Sequence, residues 1–248
     1  MGRYFIDISY NGANYGGWQS QNNAPSIQET MQRIGRLVLK QDIVIVGSSR
    51  TDAGVHAIHQ IAQLDFEPFD SLEQHVFKWN MALPNDISIA KLIQVNSDSR
   101  CRFDAVSRSY EYIISKKKDP FWHNRSLYWY GNLDISKLNE CCSLLMKYVE
   151  YEAFSKVQTQ VNHFECQILE ATWKSENDLV LFEIRANRFL RGMVRALVGT
   201  MMEVGKGKKS VHDFERIILS KDRKKAGENV PAYGLYLVSV NYPDGLFS

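Results

Sequence analysis

Disulfide chemistry has little to work with in this chain. Its four cysteines, Cys101, Cys141, Cys142 and Cys166, show no Cys-x-x-Cys spacing, so reduced thiols are predicted rather than a disulfide frame or a zinc site. No apolar run approaches the roughly 18 residues a membrane span needs, and the opening MGRYFIDISY lacks a signal-peptide layout. A cytoplasmic protein without a membrane partner is the expectation. No Walker or Gly-x-Gly-x-x-Gly loop is present to cradle a nucleotide, and no Gly-x-Ser-x-Gly elbow. His56 and His59 have no third ligand near them in sequence, which argues against a metal centre. What is present, 44% hydrophobic and 23% charged residues over 248 positions, excludes wholesale disorder and fits one large domain or two small ones.

Net charge is also small, at +2, but it is unevenly spread. Between Arg185 and Lys225 stand 12 Lys or Arg against 4 Asp or Glu, a local +8 that leaves the remainder at −6. The runs KGKK (206–209) and KDRKK (221–225), preceded by Arg188, Arg191 and Arg195, suit a phosphate backbone. Solvated lysines around loops would look the same.

Periodicity divides the chain into two halves of like element order. Alternation predicts strands over 3–10, 43–47, 57–66 and 87–95, with helices over 26–39 and 71–83 between them. Ser26 and Glu29 form a capping-box pattern, with Ile27, Met31, Ile34, Leu37 and Val38 at helical spacing behind it, and Pro84 ends the second helix. The second half repeats the order with a strand over 107–115, a helix over 135–149, a hairpin turning at 176–178, a helix over 188–204 and a closing strand over 233–242. In the first of those helices Leu138, Cys142, Leu145 and Val149 are expected inward; in the second, Asn187 is the cap and Gly205 the stop. The prediction is α+β: two ferredoxin-like split βαβ units, residues 1–104 and 105–248, whose antiparallel sheets join side by side around a central cleft.

Three features could carry chemistry. Asp52 lies in SSRTDAGVHA (48–57), flanked by Arg50 and His56 on a short connection between strands. An aspartate there can be a turn former bonding nearby amides, or a functional carboxylate on a rigid scaffold. On the 188–204 helix, Arg188, Arg191 and Arg195 would share a face roughly 130° from the apolar stripe, given about 100° per residue. Arg195, between Val194 and Ala196-Leu197, would need a carboxylate partner if buried. Tyr110 and Tyr112 lie on one face of their strand, as do Leu235 and Leu237, either as core or, for a tyrosine at a cleft, under a base. In the loop YNGANYGGWQSQ (10–21), Tyr15 and Trp18 are candidates for RNA contact.

Together these segments resemble the tRNA pseudouridine synthase A family. GSSRTDAGVHA (47–57) is similar to its catalytic-aspartate motif, residues 10–21 to its N-terminal loop, and FDAVSRSYEYII (103–114) to its active-site tyrosine segment. Residues 186–208 and 226–243 resemble its last two motifs, in the family's order. Two stretches depart from its pattern: Ser99, Arg100 and Cys101 stand where the family often has Phe-His-Ala, and 148–165 match poorly. The resemblance implies isomerisation of uridine to pseudouridine at positions 38, 39 and 40 of the tRNA anticodon stem-loop, by a homodimer needing no cofactor or metal. It implies Asp52 as nucleophile, Arg195 as its salt-bridge partner, Tyr110 stacked on the target base, Leu235 in the pocket wall and Arg50 helping a base leave its stack. Substrate contacts by His56, Arg188 and Arg191 go with that reading. An RNA-binding module without chemistry is the main rival, and a hydrolase using Asp52 with His56 a weaker one, since nothing marks an oxyanion site.

Overall fold

A computed structural model of the protein describes residues 1–21, 24–157 and 162–246, so part of the divergent 148–165 stretch lies outside the described residues. The chain is α+β and divides into two compact units, Met1–Ser107 with Tyr236–Ser248, and Arg108–Leu235. Among the described residues no helix is long and apolar enough to cross a membrane. All four cysteines are buried thiols, and burial pushes Cys141 and Cys142 up to about 12, which leaves them protonated packing groups.

In the first unit, β1 (Gly2–Tyr10), α1 (Ile27–Leu39), β2 (Val46–Gly47), β3 (His56–Phe66), α2 (Leu72–Ala82) and β4 (Ile87–Val95) follow the expected order. β1 pairs antiparallel with β3 and β4, and β2 antiparallel with β3, which is the strand arrangement of a split βαβ unit. Ser26 caps α1 by accepting from the Glu29 N–H, and Ile27, Met31 and Ile34 are buried as expected. Leu37 is not: it is 69% exposed, and Leu39 takes the inward position near the helix end. The strand expected over 43–47 contracts to two residues, with Ile43 and Ile45 turned into the core ahead of it.

The second unit contains β5 (Ser107–Ser115), β6 (Leu127–Tyr128), α3 (Ile135–Leu145), β7 (Ile168–Glu176), β8 (Leu179–Ala186), α4 (Met193–Gly205) and α5 (Val211–Ser220). β8 lies antiparallel to both β5 and β7, and the β7–β8 hairpin turns through Asn177 at φ 52, a backbone asparagine tolerates. Helix α3 ends four residues earlier than expected. The buried Tyr151 hydroxyl donates to the Leu145 carbonyl, an orphan acceptor at the helix end, and Val149 is left 53% exposed. Helix α4 starts five residues later than expected, because Gly192 at φ 73 breaks the helical path and Asn187 accepts from the Gln167 N–H instead of capping. Arg188 and Arg191 therefore precede the helix, and the expected three-arginine face does not exist. Helix α5, unanticipated from the sequence, opens with a Ser210–Asp213 capping box and buries Phe214, Ile217 and Ile218.

The final strand, β9 (Leu235–Asn241), pairs in parallel with the start of β3, His56 opposite Tyr236 and Ala57 opposite Leu237. It can do so because β2 reaches only Gln63 and Ala62, leaving that edge of β3 open. A closing strand assigned by sequence to the second half thus contributes most of its residues to the first unit.

Candidate active site

In the first unit, the loop carrying Asp52 is fastened at nearly every residue around it. Ser48 donates from its N–H to the Ile61 carbonyl and from its hydroxyl to Gln60, whose amide in turn donates to the Ser49 carbonyl. The Thr51 hydroxyl is bonded to that of Tyr10 at 2.8 Å, while the Thr51 carbonyl accepts from the Trp18 N–H. The Val55 N–H then closes the turn onto the Asp52 carbonyl. Asp52 itself is half-buried and Arg50 exposed. Such a short connection on buried strands holds a side chain in one place at little further entropic cost.

The 10–21 motif is the clamp on this loop. Gly12 approaches so closely that a Cβ there would lie 1.9 Å from the Val55 carbonyl oxygen. Its N–H donates to His56 Nδ1 at 3.1 Å, and the buried His56 ring stacks on Tyr236 with centroids 4.7 Å apart. His56 is thus a strut of the loop. Gly12→Ala is expected to displace the Val55 backbone, lowering both unfolding temperature and turnover; a variant equal to wild type in both would mean the loop yields freely. The two aromatics proposed for RNA contact are also structural. Trp18 is 2% exposed, and the half-buried Tyr15 donates its hydroxyl to Asp86 at 2.7 Å, with burial and that carboxylate both raising its pKa.

The second unit carries the other candidates. Tyr110 is buried on β5 with its ring edge-on to Phe189, centroids 5.1 Å apart. Tyr112 is wholly buried and donates to the Pro231 carbonyl, and burial drives its hydroxyl far above the ordinary range. It is core that braces the segment leading to Leu235, itself buried. Arg195 is half-buried on α4. Its Nε donates to the Val230 carbonyl at 2.7 Å while the Val230 N–H returns to the Arg195 carbonyl, so one residue pair fixes both the side chain and its helix position. Arg188 lies against the His163 ring at 2.9 Å, and the exposed Arg191 accepts from the Lys156 N–H through its carbonyl.

Among the described residues no group of three or more His, Cys, Asp or Glu could hold a metal ion. His59 is engaged otherwise, its Nδ1 accepting from the Val240 N–H and its Nε2 facing Asp7 at 3.5 Å. Tyr10, Phe189, Val230 and Tyr236 shape the candidate positions but carry no spacing signal. They are tied by contacts spanning up to 180 positions of sequence, as between His56 and Tyr236.

Comparison with known proteins adds an independent line. A family model described as tRNA pseudouridine synthase matches residues 150–243. The tRNA pseudouridine synthase A of Parabacteroides distasonis is 44% identical over 248 residues, covering all of this chain and 98% of the relative. That of Porphyromonas gingivalis is 44% identical over 252 residues and covers both chains completely. At greater distance, the protein of the same name from Francisella tularensis subsp. novicida is 35% identical over 253 residues, all of this chain and 96% of its own.

Proposed function

The chain belongs to the tRNA pseudouridine synthase A family, and from that premise we propose that it isomerises uridine to pseudouridine at positions 38, 39 and 40 of tRNA, with Asp52 as the nucleophile. Whole-chain identity of 44% to proteins of that name is the observation that carries the reading. The reaction breaks the bond from N1 to C1′, turns the detached uracil and rejoins it through C5, which loses a proton while N1 takes one up. A carboxylate serves it by capturing or stabilising charge at C1′, by assisting proton loss from C2′, or by adding to C6. Arg195 is proposed as the ion-pair partner that aims Asp52, Tyr110 as the ring on which the target base stacks, and Leu235 as pocket wall. Arg50 is proposed to help the base leave its stack, at a cost of a few kcal/mol that stacking partly offsets. His56 acts on substrate through the loop it holds. Arg188 and Arg191, with the +8 segment, supply phosphate contacts, which suit recognition of RNA by shape.

The working form in this reading is a cytoplasmic homodimer that needs no cofactor. Incubation with tRNA transcript tritiated at uridine C5, without additives, tests it. Release of tritium to water is expected, and retention of label would refute the isomerase assignment. The RNA-binding rival keeps the phosphate contacts but gives Asp52 no task, since an acid repels the backbone a binder must attract. The hydrolase rival is weaker still, because His56 Nδ1 is occupied by the Gly12 N–H.

The basic run after α4 provides a further check. Its lysines are not equivalent: Lys206 sits 3.6 Å from the Trp129 ring centroid and Lys209 faces Glu203 at 3.4 Å, whereas Lys208 is exposed. Changing Lys206, Lys208 and Lys209 together to Ala is expected to weaken tRNA binding and lower the salt slope by about one to two. An unchanged slope would assign the run to solvated surface.

A further inference from the structure

The segment KKKDPFWHNRSLYWYG (116–131) has no role in the function derived above, yet its composition is unlike the rest of the chain. Five of its sixteen residues are aromatic, four are Lys or Arg, and one is acidic. A loop so rich in rings would normally bury them. Here Phe121 is 85% exposed and Tyr130 82%, with Tyr128 about half exposed. The backbone beneath is ordered throughout. Asp119 caps a short 3-10 turn by accepting from the Phe121 N–H, Ser126 bonds back to Trp122, and β6 pairs with Ile114 and Ser115 at the end of β5. The Trp129 N–H then donates to the Ser115 carbonyl, and the Ser115 hydroxyl donates to the Lys117 carbonyl. Phe121, Tyr128 and Tyr130 are held outward by this scaffold, while Trp122 and Trp129 are half-buried.

The same segment lines an open pocket of about 370 Å³, with Lys117, Lys118, Asp119, Trp122, Tyr128 and Tyr233 in its wall, among others. That volume falls within the roughly 300–1,000 Å³ typical of small-ligand sites. The wall combines flat rings, hydroxyls, an amide and two lysines with one carboxylate, Asp119, which accepts from the Phe121 N–H. Lys117 is engaged by Asp178 at 3.0 Å, but both side chains are more than half exposed, so the pair is weak and a phosphate can replace the carboxylate. Tyr233 stands two residues before Leu235, which ties this pocket in sequence to the segment assigned to the uridine pocket.

We propose that this pocket is a second nucleotide-binding subsite, which takes an unpaired base of the tRNA substrate on Trp122 and Tyr128 and its phosphate on Lys117 and Lys118. Rings that stack any base, beside cations that follow the backbone, are the combination by which proteins hold single-stranded RNA. The inference rests on tRNA being the substrate. It assigns the subsite to affinity and leaves the bond-changing step to the residues named above.

The test compares wild type with Trp122→Ala/Tyr128→Ala, Lys117→Ala/Lys118→Ala and the conservative Trp122→Phe, using filter binding of unmodified tRNA transcript at several salt concentrations. Single-turnover pseudouridine formation at saturating RNA and sedimentation of the free protein are measured in parallel. The ring variant is expected to bind about ten-fold more weakly, with Trp122→Phe near wild type and the saturated rate unchanged. The lysine variant should show a salt slope smaller by about one to two. Unchanged affinity and slope in the Ala variants would overturn the proposal, as would a ring variant that dissociates a wild-type dimer and so makes the patch an interface between copies. A wild type that forms no pseudouridine, with binding still lost in the variants, would refute the isomerase reading and leave the subsite standing.

Discussion

Asp52→Asn is expected to lower turnover at least about a thousand-fold while tRNA affinity stays within a few-fold. Asparagine keeps the shape of the side chain but not its charge or nucleophilicity. Much of the loop is fastened by atoms the substitution leaves in place: the Thr51 hydroxyl on Tyr10, Ser48 on Gln60, and the carbonyls of Thr51 and Asp52 on the Trp18 and Val55 N–H groups. The substitution also removes the charge the proposed Arg195 pair needs, so unfolding temperature is measured beside turnover, which separates a lost chemical group from a lost fold. A variant with substantial turnover would remove Asp52 from the chemistry. One that binds tRNA a hundred-fold more weakly would make it a binding residue.

The second large effect is expected far from any reacting atom. Trp18→Ala should destabilise the protein by about 3–5 kcal/mol, the usual range for deleting a buried aromatic side chain. At this chain length that corresponds to a fall in unfolding temperature of roughly 10 °C. The Trp18 ring fills the space over Gly47, where a Cβ would come within 2.4 Å of it, and its centroid lies 6.2 Å from that of Tyr10. Since Tyr10 holds Thr51 and the Trp18 backbone holds the Thr51 carbonyl, the cavity opens beside the Asp52 loop. Turnover should fall with stability. A variant that unfolds at the wild-type temperature but binds RNA weakly would place Trp18 on the RNA instead.

Tyr15 and Trp18 show where the sequence misleads. A loop rich in Gly and Asn looks mobile and its aromatics available, but Gly12 and Gly17 are there for close approach to the 51–55 backbone, which no local pattern reveals. Regular alternation and caps made β1, β3, β4, β5, α1 and α2 readable because those signals are local. The α4 boundary was not readable, since an arginine-bearing apolar run fits a helix equally well whether or not Gly192 adopts a left-handed conformation. Helix α5 was legible in its Ser210–Asp213 box and its Phe214, Ile217 and Ile218 spacing, but adjacent lysine runs draw attention to charge instead. Of the candidate site, the Asp52 loop could be found from residue types. The Tyr10 bond that steadies Thr51 spans 41 positions and could not.

The most direct test is to map pseudouridine residue by residue across the anticodon stem-loop of an unmodified tRNA transcript treated with wild type or Asp52→Asn, no cofactor added. Conversion confined to uridines at positions 38, 39 and 40, by wild type alone, is the predicted result. Conversion by both proteins, or by neither while tRNA binding persists, would contradict the assignment of Asp52 as the carboxylate that carries the reaction.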